Sequence, residues 1–157
     1  MSPDVIQITI ISGGQTGADR AALDFALDFH FPCGGWCPAG RCAEDGHIPD
    51  RYPLQETSSR DYAVRTRKNI TFSDGTLLFT FNGAEDKGTT LTRRETLRYG
   101  KPLLGINLPE PSKVSKALFT RWLNENNIRI LNIAGPRESF GPGIYTAVYH
   151  WLKVCLL

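Results

Sequence analysis

The segment ISGGQTGADRAALD, residues 11 to 24, constrains the fold more than any other part of the chain. It sets three glycines and two small polar residues between a β-branched run, VIQITII at residues 5 to 11, and an alanine-rich stretch. That order reads as strand, glycine turn, helix. From Ala18 to Phe29 the residues Ala18, Ala22, Phe25, Ala26 and Phe29 recur at three- and four-residue spacing, the stripe a helix buries against a sheet. The helix stops before Pro32.

The same alternation continues downstream. After a stretch rich in glycine and proline, FPCGGWCPAGRCAEDGHIPDRYPLQET, which reads as a long ordered loop with one short strand around residues 34 to 37, Tyr62 to Phe72 is expected to be helical. Arg65 and Asn69, four apart, share one face of it. TLLFTF at residues 76 to 81 reads as a buried strand. Residues 88 to 99 read as a helix opened by GTT and closed by Gly100, and residues 102 to 108 as another strand. Residues 112 to 126 form an amphipathic helix through Val114, Leu118 and Trp122, residues 128 to 133 a fifth strand, and residues 143 to 156 a last helix. Five strands joined by crossovers mean an α/β fold, a doubly wound parallel sheet of Rossmann-like type with flanking helices.

A chain of 157 residues, 41% hydrophobic and 22% charged, supports one well-buried core and is read as one domain over residues 1 to 157. The apolar runs are short and MSPDVIQ has no basic flank, so neither a membrane helix nor a signal peptide is expected, and the location expected is cytoplasmic. A net charge of +2 is too weak to mark a nucleic-acid binder. Cys33, Cys37, Cys42 and His47 lack a close CxxC pair, so no metal site is expected, and the four cysteines read as free thiols of a reducing compartment.

In such a sheet, ligands sit beyond the carboxyl ends of the strands where strand order reverses. Three of those ends carry glycine-rich turns. In SGGQTG, comprising Gly13, Gly14, Gln15, Thr16 and Gly17 after Ser12, close backbone approach and the helix N-terminus favour an anion such as phosphate. The same residues also suit a tight turn with Thr16 as helix cap. The turn has neither GxGxxG spacing nor a Walker lysine. Gly88, Thr89 and Thr90 form a second such turn, and a third, AGPRESFGPG, offers Arg137, which either clamps an oxyanion or pairs with a carboxylate. In the long loop, Trp36, Arg41, Glu44 and Asp45 either wall a pocket for a flat heterocycle or pack as surface.

Taken in order, ISGGQTGADRAALDFA, CGGWCPAGRCAEDGHIPDRYPLQET, YAVRTRKNITFSDGTLLF, GTTLT, GKPLL and LNIAGPRESFGPGIY resemble the bacterial molybdenum carrier protein family over nearly the whole chain. The resemblance implies a Rossmann-like fold related to the lysine-decarboxylase-like, cytokinin-activating phosphoribohydrolases. It also implies binding of the molybdenum cofactor, a pterin with a phosphate and a dithiolene-held metal, or otherwise of another phosphorylated, nucleotide-like ligand. Gly13, Gly14, Gln15, Thr16, Gly17, Gly88, Thr89 and Thr90 would then form the phosphate-binding turns, with Arg41, Arg65, Asn69 and Arg137 on the rest of the ligand. Relatives of this fold form homo-oligomers, so a dimer or tetramer is implied. The hydrolases carry PGGxGTxxE where this chain reads EDKGTTLTRR, so Thr92 stands at the catalytic glutamate's position. A hydroxyl is a poor proton donor near neutral pH. That favours a non-catalytic carrier over a nucleotide-processing enzyme, for which Glu95, Glu44 or Asp45 would have to serve.

Overall fold

In the computed structural model, which describes residues 7–110 and 112–157 and not the side chains of 112–114, nine strands and five helices follow one another along the described residues. They are β1 (Thr9–Ile11), α1 (Ala18–Asp28), β2 (Cys33–Gly34), β3 (Trp36–Cys37), β4 (Cys42–Ala43), β5 (Gly46–His47), β6 (Gln55–Glu56), α2 (Tyr62–Phe72), β7 (Gly75–Phe81), α3 (Lys87–Arg98), β8 (Leu103–Leu108), α4 (Ser112–Glu125), β9 (Ile130–Ala134) and α5 (Ile144–Leu156). Five of the strands make the main sheet, in the order β2-β1-β9-β7-β8, and every pairing in it is parallel. The expected α/β architecture of about five strands is therefore the one observed. Val5 and Ile6 of the expected first strand, and the Val114 side chain of the fourth helix, lie outside the described residues.

Strand position follows from sequence pattern. β7, with the unbroken run GTLLF buried, lies between β8 and β9, whereas β8 alternates buried Leu104, Ile106 and Leu108 with exposed residues, as an edge strand does. Helices α1, α4 and α5 pack together as one layer, and α2 and α3 as the other. The first layer buries its stripe in a core where Trp151 meets Phe79 and Phe119 edge-on at 5.2 and 5.1 Å between ring centroids. No helix of the described residues is long and apolar enough to cross a membrane.

The long loop is ordered by polar bonds more than by apolar burial. Arg41 donates to the backbone carbonyls of Ile48, Pro49, Tyr52 and Leu54; those of Pro49 and Tyr52 also accept backbone amides of the loop, so the guanidinium joins a local turn network. Beneath it Leu23, Cys37, Ile48 and Tyr52 form a small second core. The four cysteines are free thiols, Cys37 and Cys155 buried.

Candidate functional site

Strand order reverses around β1, β9 and β7, and a crevice opens beyond their carboxyl ends. It is lined by Gly13 and Gln15 after β1, Asp19 on α1, Asn132 to Gly135 on and after β9, Asp86 and Gly88 at the start of α3, and Tyr62, Arg65 and Asn69 on α2. Leu91, Thr92 and Arg137 complete the lining together with Thr66. The space that water-sized molecules can occupy is about 60 Å³, enough for a few waters.

The first glycine turn is shaped by what passes beside it. A Cβ on Gly13 would collide with the Arg65 guanidinium, and one on Gly17, whose φ is 82°, with the Pro136 carbonyl. Gly17 is itself the N-cap of α1 and supplies no side chain, so Thr16 is not the cap. Thr16 Oγ1 instead donates to the Glu44 carboxylate and accepts the Glu138 amide at 3.2 Å. Gly14 faces Leu54 and Ile48 of the long loop. The amides of Gln15, Thr16 and Ala18 are taken by Asp19, the Gln15 side chain and Pro136. Those of Gly13 and Gly88 bond to none of the described residues, and both glycines line the crevice.

At the second turn the helix carries its own anion. Asp86 is the N-cap of α3, and its Oδ1 accepts the Thr89 amide at 2.9 Å and the Thr89 hydroxyl at 2.6 Å. Its Oδ2 accepts the Arg137 amide at 2.9 Å and lies 3.6 Å from Arg137 Nε. Arg137 also lies 3.9 Å from Glu44. Of the two roles open to Arg137 in the sequence, pairing with carboxylates is the one its geometry has. Thr90 is exposed and bonds Glu85, and so stands off the crevice.

Arg65 is different. It is 8% exposed, and burial presses its pKa downward. It donates one hydrogen bond, Nη1 to the Gly13 carbonyl at 2.7 Å. No carboxylate lies within 4 Å of it among the described residues. Its remaining donors are those of a buried cation on the crevice wall. Asn69, also on α2, spends its side chain on β3: Oδ1 accepts the Trp36 amide at 2.8 Å and Nδ2 donates to the Trp36 carbonyl at 3.0 Å.

Several expected residues lie elsewhere. Arg41 is committed to the loop carbonyls and does not line the crevice. Trp36 packs outside it, tilted against Phe72 at 5.5 Å and under Lys68 at 4.1 Å, so the aromatic ring in the crevice is Tyr62. Glu95 is buried against Arg67, Arg98 and Arg94 at 3.4, 3.2 and 3.9 Å and is absent from the lining. Asp45 pairs with Arg20 at 2.5 Å. Burial would raise the Glu44 carboxyl, but hydrogen bonds from Ser139 and Thr16 outweigh it and hold the group below its usual range.

Two carboxylates do face the crevice, and the sequence reading named neither. Asp86 stands two positions before GTT and carries the ordinary N-cap signal. Asp19, in the first turn of α1, reads in sequence as a dipole-complementing acid. In the fold, burial raises its pKa from 3.8 to about 6 against the pull of Arg65, with one bond accepted from the Gln15 amide at 3.3 Å. Asn132 was signalled only as a polar residue inside the apolar strand run ILNIA.

The model of the circularly permutated YpsA SLOG family matches residues 10–156. A solved structure, titled as a "Putative molybdenum carrier protein" from Syntrophus aciditrophicus SB, is 47% identical. The match covers 96% of each chain with a TM-score of 0.92. None of the curated proteins matches the chain.

Proposed function

The chain belongs to the circularly permutated YpsA SLOG family, and from that premise we propose that it is a carrier that binds a phosphorylated heterocycle, of the molybdenum-cofactor or nucleotide kind, in the crevice beyond β1, β9 and β7. The observation that carries the reading is Arg65: a buried guanidinium with one carbonyl partner, no carboxylate within 4 Å among the described residues and only the more distant charge of Asp19 opposite it is a cation with room for an anion. The amides of Gly13 and Gly88 add neutral donors to the same wall. The name of the Syntrophus neighbour supports a molybdenum-related ligand.

The donor set suits one end of such a ligand. Arg65 and the two glycine amides fit a phosphate. No cysteine or histidine is among the lining residues, so a metal held by a dithiolene would keep its own sulfur ligands there and take none from this wall. The molybdenum cofactor, when bound, supplies the redox chemistry; the protein's residues would hold the phosphate and shield the ring from water.

Calorimetry with guanosine and its 5′-monophosphate tests the phosphate site. The phosphate should tighten binding by roughly 100-fold, and Arg65→Met should erase that difference. Equal affinity of nucleoside and nucleotide in the wild type would refute the reading. Mass spectrometry of small molecules released from the purified protein would identify the natural ligand.

A second reading, N-glycosidic hydrolysis, has one observation in its favour, the buried Asp19 carboxyl with a pKa raised to about 6 in the crevice. Release of free base from nucleoside monophosphates by the wild type and not by Asp19→Asn would establish it. Its earlier candidates Glu95, Glu44 and Asp45 are all held in ion pairs or hydrogen bonds away from the lining.

A further inference from the structure

Gln15 holds an unmatched donor. Its Oε1 accepts two backbone amides, Thr16 N at 3.1 Å and Glu44 N at 2.9 Å. That fixes the orientation of the carboxamide, because the flipped form would set Nε2 against two N–H groups. Nε2 is then left buried without a partner, on a side chain that is 7% exposed and lines the crevice. A shielded donor without an acceptor costs stability unless a ligand brings the acceptor.

Asp19 stands beside it with the opposite character. The Gln15 backbone amide donates to Asp19 Oδ2 at 3.3 Å, both residues line the crevice, and Oδ1 accepts no hydrogen bond from the described residues. The crevice wall therefore offers a buried donor on Gln15 and an unspent acceptor on Asp19. A ring edge that complements it must present a carbonyl next to an N–H. That is the lactam edge of a 2-amino-4-oxopyrimidine ring, in which the ring N–H and the exocyclic amine both donate to one carboxylate while the adjacent carbonyl accepts. Adenine presents an unprotonated ring nitrogen there, which would face the carboxylate acceptor to acceptor.

We infer that Gln15 and Asp19 together read the lactam edge shared by guanine and pterin and reject adenine. The inference rests on the proposed binding of a phosphorylated heterocycle, and it makes Gln15 and Asp19 specificity residues of that site. The Asp19 carboxylate has Arg65, Arg20 and Asp86 as charged neighbours, so near neutral pH it is available as an acceptor.

The test is calorimetry with guanosine, inosine and adenosine 5′-monophosphates at pH 7.5 on the intact chain. Inosine monophosphate keeps the lactam and lacks the amine, so the expected order is guanosine over inosine by roughly tenfold and over adenosine by roughly 100-fold. Two isosteric variants sharpen it, with thermal melts reporting that each is folded. Gln15→Glu keeps the two bonds accepted from Thr16 and Glu44 and turns the orphan donor into an acceptor. Asp19→Asn keeps the shape and removes the charge. Each should reduce the guanosine-to-adenosine ratio to about threefold or below. Equal binding of the three nucleotides, all still dependent on the phosphate, would overturn this inference and leave the phosphate site standing. Wild-type ratios retained in both variants would overturn the assignment to Gln15 and Asp19. Absence of binding by all three at millimolar concentration would overturn the inference and the phosphate site together.

Discussion

Two buried carboxylates on different helices are treated in opposite ways by this fold. Glu95, on α3, is 2% exposed and surrounded by Arg67, Arg94 and Arg98, all within 4 Å and all reaching water at their far ends. Asp19, on α1, is 8% exposed, has no cation within 4 Å among the described residues, and accepts one long amide bond. The arginines repeat the contrast: Arg137 lies between Asp86 and Glu44, while Arg65 has a single carbonyl. The seam between α2 and α3 neutralises its charge locally, as a stabilising element does. The crevice leaves charge and hydrogen-bonding capacity unspent, which costs stability.

The largest expected effect separates the two carboxylates by sign. Because the folded-state pKa of Asp19 is raised from 3.8 to about 6, the folded protein binds that proton more tightly than the unfolded chain. The associated stability is present below pH 4 and lost as pH rises through 6, amounting to about 3 kcal/mol. Asp19→Asn should therefore be more stable than wild type by up to that amount at pH 8, with the gap closing by pH 4. Urea unfolding at several pH values reads it, and a destabilised Asp19→Asn at pH 8 would break the comparison.

Next in size is the arginine pair. Arg65→Met should weaken binding of guanosine 5′-monophosphate by roughly 100-fold, whereas Arg137→Met, which frees two carboxylates at the rim, should change it by about threefold or less. Similar losses in the two variants, measured by calorimetry, would mean that the cations share the phosphate. Glu95→Gln should lower stability by about 1 to 2 kcal/mol, because its arginine partners can turn to water once the charge is gone. It should leave nucleotide affinity unchanged; a loss of affinity would place Glu95 within reach of the ligand. The smallest effect is expected at the rim latch. Glu44→Gln weakens the bonds from Thr16 and Ser139, which should appear as faster amide exchange across residues 42 to 47 with a change in global stability below about 1 kcal/mol.

Residue patterns within short windows carried much of this architecture. The glycine turn between a β-branched run and an alanine-rich stripe, the helix over Tyr62 to Phe72 with both its ends, and the five-strand alternation were all legible, because periodicity and turn chemistry act over a few residues. So was the shared face of Arg65 and Asn69, both of which line the crevice. Of the five two-residue strands inside the long loop, β4, β5 and β6 were not legible, since pairs such as Trp36 with Gln55 are made by the loop's closure on itself.

What the sequence by itself determined is where the glycine-rich turns gather: strands alternating with helices imply a parallel sheet, and a parallel sheet sets those turns together at the carboxyl ends of its strands. What only the tertiary structure decided is which polar groups in those turns remain unsatisfied. Arg41 and Arg65 look alike in sequence, yet one meets four carbonyls of its own loop and the other a single carbonyl 52 residues away. Thr16 is held by Glu44, 28 residues downstream, and Glu44 by Ser139, 95 residues further on. Hydrogen bonds and ion pairs saturate within a few ångströms, so whether a donor is spent or free depends on neighbours that only folding brings together.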